Sequence, residues 1–113
     1  MIEKIILDYL SDELAVPVYM EVAEGRPDAT FVVIEKTGGG RSNHIDSATL
    51  AIQSYAPTMY EAALLNDRVK DAMENSIILD SISRSQLNSD YNYTDTTSKT
   101  YRYQAVFDVI FYD

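Results

Sequence analysis

Lys36-Thr37-Gly38-Gly39-Gly40-Arg41-Ser42 comes nearest, in this chain, to a phosphate-binding loop. Such a loop needs a glycine, four further residues and then Gly-Lys-Ser/Thr opening a helix, so that backbone N–H groups and the lysine surround the phosphate oxygens. Here arginine stands in place of lysine, the first glycine is misplaced, and the residues that follow read as a strand. A flexible hairpin loop explains the segment without phosphate, and three glycines are costly to order, so the loop is expected to order against a partner. Asp90-Tyr91-Asn92-Tyr93-Thr94-Asp95 carries side-chain oxygens at alternate positions, like the start of a calcium loop. An EF-hand requires glycine at the sixth place and glutamate at the twelfth, where Asp95 and Tyr101 stand. His44 lies near Asp46, Ser42 and Ser47, but no nucleophile elbow is present, and a solvated or interface histidine explains the cluster. Asp67 and Asp71 sit one helical turn apart beside Arg68 and Lys70, as a solvated helix face would.

Composition narrows the classes further. The chain has 113 residues, 46% hydrophobic and 24% charged, which is ordinary for a single globular domain. Its 18 acids and 9 bases give a formal charge of −9, and the bases form no stripe, which argues against a nucleic-acid surface. Without cysteine and with one histidine, thiol chemistry, disulfides and multi-histidine metal sites fall away, and no cofactor is expected. Asp8 interrupts the apolar run near Met1, so that segment reads as no signal peptide, and no run approaches a membrane span. Among the nine tyrosines, Tyr91, Tyr93, Tyr101 and Tyr103 crowd together in the last quarter. Tyrosine suits a surface half-buried against another protein, and ordinary strand packing explains the cluster equally well.

The elements that position these residues read as follows. Ile2, Ile5, Ile6, Tyr9 and Leu10 follow helical spacing over Ile2–Asp12. Val16–Val22 reads as a short strand, 23–29 as a turn and Thr30–Thr37 as a central strand. Gly38–Asn43 is then a loop leading to a half-buried strand over His44–Tyr55. Thr58 with Glu61 three residues on has capping-box spacing, and opens a helix that ends near Asn75. Ile77–Gln86 reads as a strand, and Leu87–Lys99 as a loop or a strand extension that a partner orders. Tyr101–Tyr112 is the clearest strand, with Tyr101, Tyr103, Ala105, Phe107, Val109 and Phe111 on the core face. Its other face begins with Arg102 and Gln104 and ends with Ile110 and Tyr112, which need cover from a neighbouring subunit or from the chain's own helices. The order helix, strand, strand, strand, helix, strand, strand predicts an α+β fold, a mostly antiparallel sheet with both helices on one face.

This arrangement resembles the tail terminator, or tail completion, proteins of long-tailed bacteriophages and related prophage head–tail joining proteins. The resemblance lies in size and element order. It includes the helix leading into Val16-Pro17-Val18, the Thr30–Thr37 segment ending in glycines, and the strand Asp46–Ser54. It also includes the helix opening Pro-Thr-Met-Tyr-Glu-Ala-Ala at Pro57 and the closing strand from Tyr101. The resemblance implies a non-enzymatic structural protein of the virion. Such a protein forms a ring, commonly a hexamer, at the head-proximal end of the tail, where it stops tube polymerisation. Its partners would be other copies of itself, the tail tube protein and head–tail connector proteins. The resemblance also makes the Gly38–Asn43 and Leu87–Lys99 segments contact-making loops. With the tyrosine and strand readings, the interface candidates are Gly38, Gly39, Gly40, Arg41, Asn43, Tyr91, Tyr93, Ile110 and Tyr112. An acidic ring suits a lumen that DNA traverses without being held. The alternatives are a head–tail connector or head-completion protein, and a small ligand-binding or enzymatic α+β domain.

Overall fold

The computed structural model describes residues 1–21 and 29–112. Its elements are α1 (Ile2–Leu14), β1 (Val18–Tyr19), β2 (Phe31–Ser42), β3 (Ile45–Tyr55), α2 (Met59–Glu74), a 3-10 turn (Asn75–Ile78), β4 (Ile82–Asn92) and β5 (Arg102–Phe111). The strands form one sheet in the order β1-β2-β3-β5-β4. Every pairing is antiparallel except that of β1 with β2. The fold is α+β, as the element order predicts.

Alternation puts the core on one side of this sheet. Val32 and Ile34, Ala48, Leu50 and Ile52, and Ala105, Phe107, Val109 and Phe111 meet Ile2, Ile6, Leu10 and Leu14 of α1 and Leu65, Val69, Ala72 and Met73 of α2. Both helices therefore cover the same face, and the predicted core face of the last strand is buried from Ala105 to Phe111. Helix α1 runs on through Leu14 because Leu14 continues its apolar stripe, and it stops at Ala15 in the left-handed region (φ 55°). Helix α2 begins as predicted. The Glu61 N–H donates to Thr58 Oγ1 (3.1 Å), while the hydroxyl itself donates to the Glu61 carboxylate (3.2 Å), so one orphan backbone donor is satisfied.

Four segments differ from expectation. Gly38–Ser42 is not a loop. It continues β2, with Gly38, Gly39 and Gly40 opposite Thr49, Ala48 and Ser47. The turn is the two residues Asn43 and His44, both left-handed (φ 52° and 66°), the geometry that matches the twist of a tight hairpin. Gly39 leaves little room for a side chain, since a Cβ there would lie 3.0 Å from both the Ser47 carbonyl oxygen and Lys36 Cε and would need the Ser47 backbone to shift slightly. Leu87–Asn92 belongs to β4, which pairs with β5 and needs no partner to order it. The remainder of that segment is a turn closed by the Asp95–Thr100 bridge. The Ile77–Gln86 strand begins only at Ile82, after the 3-10 turn. Of the strand predicted over Val16–Val22, only Val18–Tyr19 is paired; Val22 and the turn at 23–28 lie outside the described residues.

Candidate functional interface

Both helices lie on one side, so among the described residues no helix covers the sheet's other face, where cross-strand register arranges the side chains in rows. The row nearest β1 is Phe31, Tyr55 and Arg102; the next is Val33, Gln53, Gln104 and Tyr91. Phe31 stacks on Tyr55 (centroids 4.5 Å apart, planes at 9°) and meets the Tyr19 ring at 5.9 Å. The Arg102 guanidinium lies 4.5 Å from the Tyr93 ring centre and 5.7 Å from that of Tyr55. Its Nε donates to the Tyr93 carbonyl (2.7 Å) and its Nη1 to the Tyr55 hydroxyl (3.2 Å). Tyr91 and Tyr93 meet edge to face at 5.9 Å.

The second row is unusual for an open face because its two glutamines are buried. Gln53 Nε2 donates to Gln104 Oε1 (2.8 Å), Gln104 Nε2 donates to the Tyr91 hydroxyl, and the Tyr55 hydroxyl donates to Gln53 Oε1 (3.3 Å). Each amide is thus tied to a ring beside it, and the aromatic end of the face is held in one arrangement. Phe31, Val33 and Tyr55 are themselves buried and make a small second core on this side. The groups this end presents are therefore the exposed rings of Tyr91 and Tyr93 with Arg102 half-buried beside them, a tyrosine–arginine composition that suits a protein interface.

Toward the hairpin tip the face changes. Gly38, Thr49, Asp108 and Gln86 form one row, and Gly40, Ser47, Ile110 and Arg84 the next. A shallow depression here is lined by Gly39 and Gly40 together with Ser47, Thr49, Asp108 and Ile110. Asp108 accepts from Thr49 Oγ1 (3.0 Å) and Asn88 Nδ2 (2.9 Å). Ile110 lies half-buried on this face, and Ile45 and Tyr112 stand exposed at its end. The chain's own helices therefore do not supply the cover that Ile110 was expected to need.

The predicted residues divide between the two faces. Gly38, Gly40, Tyr91 and Ile110 share the open face; Asn43 is in the exposed turn, and Tyr93 and Tyr112 follow the ends of β4 and β5. Gly39 and Arg41 lie in register with Ala48 and Asp46, on the helix side. Arg41 grips Asp46 with two bonds, Nε to Oδ1 (2.5 Å) and Nη2 to Oδ2 (3.1 Å). That hydrogen bond holds the Asp46 carboxyl below the usual carboxylate range, against the opposing effect of burial. Asp46 is thereby committed to Arg41 while His44 is exposed in the turn. Phe31, Gln53, Tyr55 and Gln104 were not singled out as interface residues. The signal was the placement of Tyr55 and Arg102 in strands that turn out to be neighbours.

The calcium-like segment is likewise spent on local structure. Asp90 accepts from Lys70 Nζ (2.7 Å) and Asn66 Nδ2 (2.6 Å), tying α2 to β4. Burial raises the Asp90 pKa, but the Lys70 and Asn66 bonds outweigh it and leave the carboxyl below its ordinary value. Asn92 Oδ1 accepts from the Thr94 N–H (3.0 Å) and Asp95 Oδ1 from the Thr97 N–H (3.0 Å). Among the described residues no group of three or more His, Cys, Asp and Glu is placed to hold a metal ion, and no helix is long and apolar enough to cross a membrane. No protein-family model matches the chain, and none of the curated proteins is significantly similar to it.

Proposed function

We propose that this chain is a structural subunit of a phage virion, a tail terminator. In this reading it closes into a ring at the head-proximal end of the tail tube, stops tube polymerisation and joins the tail to the head. The observation that supports the reading is the half-covered sheet: helices on one face, the exposed Tyr91 and Tyr93 with Arg102 on the other, and two different edges that each leave backbone unpaired among the described residues. A ring subunit needs two unlike surfaces that meet on neighbouring copies, and a sheet edged by the short β1 with the rest of β2 at one side, and by β4 at the other, has them. The resemblance in element order supports the same reading, since the observed order of helices and strands is the one it rests on. The charge of −9 suits a lumen that lets duplex DNA pass, because like charges do not hold a phosphate backbone. Its partners are further copies of itself, the tail tube protein and the head–tail connector, and the chemistry it performs is binding, with no catalytic residue and no cofactor.

The test is tube assembly in vitro with the cognate tail tube protein. Substoichiometric amounts of this chain are expected to cap tube ends and shorten the tubes. Unchanged tube lengths with the chain left in solution would refute the terminator role, and binding to connector rings alone would move it to the head side.

A further inference from the structure

The two edges of the sheet match each other in length and sense. On the outer side of β2, β1 covers only Val32 and Val33. From Ile34 to Ser42 that side has no strand beside it among the described residues. Beyond Ile34 these residues are mostly exposed. β4 is the opposite edge, and its residues Arg84–Asn92 match Ile34–Ser42 in number, residue for residue. The strands also have the right sense. Following the antiparallel pairings from β2 through β3 and β5 to β4, the two edges run in opposite directions. Setting one copy's β4 beside the next copy's β2 therefore continues the antiparallel sheet.

The faces and the irregularities fix a register. Edge strands are commonly protected by bulges that spoil pairing, and within these two spans each edge carries one, β2 between Lys36 and Gly38 and β4 between Leu87 and Ser89, a further shift in β4 lying just before Arg84. If Lys36 of one copy faces Asp90 of the next, Gly39 faces Leu87. Residues 37 and 38 then oppose residues 88 and 89, so the bulges coincide and no slip remains. Lys36, Gly39 and Arg41 then meet Asp90, Leu87 and Ser85, all on the helix side. Glu35, Gly40 and Ser42 meet Tyr91, Gln86 and Arg84, all on the open side. The exposed Lys36 ammonium comes opposite a carboxylate held in its charged form by Lys70, and Gly39 and Gly40 leave room for Leu87 and Gln86.

We infer that the ring is closed by β4 of one copy adding to the free outer edge of β2 on the next, with Lys36 opposite Asp90. This inference rests on the ring reading and supplies its joint. A continuous sheet of this kind places every helix layer on one wall of the ring and every aromatic face on the other.

The chain has no cysteine, so an introduced pair reports cleanly. Within one copy β2 and β4 are three interstrand spacings apart, about 14 Å, beyond the roughly 7 Å limit between Cα atoms for a disulfide. Any bond between Gly40→Cys and Gln86→Cys in one doubly substituted chain therefore joins two copies. A Cβ at Gly40 meets nothing closer than Ser47 Oγ at 3.4 Å, so the fold tolerates the change. Mild oxidation at a concentration where light scattering shows oligomers is expected to give a ladder of linked multimers that reduction dissolves. The control Gly40→Cys with Ser89→Cys, off register on the same face, is expected to give less than about a tenth of that yield. Equal yields from both pairs, or oligomers without a Gly40–Gln86 link, would overturn the joint and leave the ring reading standing. A monomer at every concentration would overturn both.

Discussion

Replacing Gln104 with methionine probes how firmly the open face is held. Gln53 and Gln104 are 9% and 8% exposed, and their side chains face each other across β3 and β5. Gln104→Met removes the acceptor of the Gln53 amide and leaves a buried N–H donor without its partner, a loss of about 1–3 kcal/mol. Gln53→Met leaves Gln104 Oε1 without its donor, at a similar cost. The double variant has no stranded amide, because methionine fills similar volume without polar atoms. The two losses are therefore expected to overlap, with the double variant more stable than their sum by at least about 1 kcal/mol. At about 4 °C of Tm per kcal/mol for a domain of this size, the singles differ measurably from the parent. Urea denaturation followed by far-ultraviolet circular dichroism gives the four free energies, tryptophan being absent. Additivity within about 0.3–0.5 kcal/mol would refute the coupling and, with it, the claim that this row fixes the aromatic surface.

Two further predictions follow from the same face and its edges. Ile110→Asp places a carboxylate in the row with Arg84 and Ser47, so stability is expected to change by no more than about 1 kcal/mol while assembly is lost; global unfolding in a denaturant melt would contradict this. Asp46, Asp90 and Asp95 all have lowered pKa values. Their contributions are complete above the unfolded carboxylate value of about 3.9 and are lost as pH falls through the lower native values, so stability should fall below about pH 4. Asp46→Asn is expected to make that acid limb shallower, measured by urea midpoints across pH, and an unchanged limb would contradict the Arg41 pairing.

What could be read from the sequence depended on burial. α1, α2, β3 and β5 announce themselves because one face of each is apolar at the right period, and Thr58 with Glu61 marks a helix start by chemistry alone. Gly38–Gly40 misleads because glycine composition describes the freedom of an isolated chain. Here that freedom is removed by pairing with Ser47, Ala48 and Thr49 of the neighbouring strand, which no local signal carries. β4 is missed beyond Gln86 for a related reason. As an edge strand it is largely polar on both faces, so alternation is weak and backbone pairing decides. The interface candidates were half legible: Ile110 and Tyr91 emerge from alternation and composition, whereas the buried glutamines appear only once β3 and β5 are neighbours.

Molar mass by light scattering, taken from dilute to concentrated solution and joined to negative-stain imaging, decides most directly whether this chain is a ring subunit. The expected result is a concentration-dependent rise to a single closed species, seen as rings of uniform diameter. A constant monomer mass across the whole range, in a chain that also leaves tail tube ends unoccupied, would contradict it.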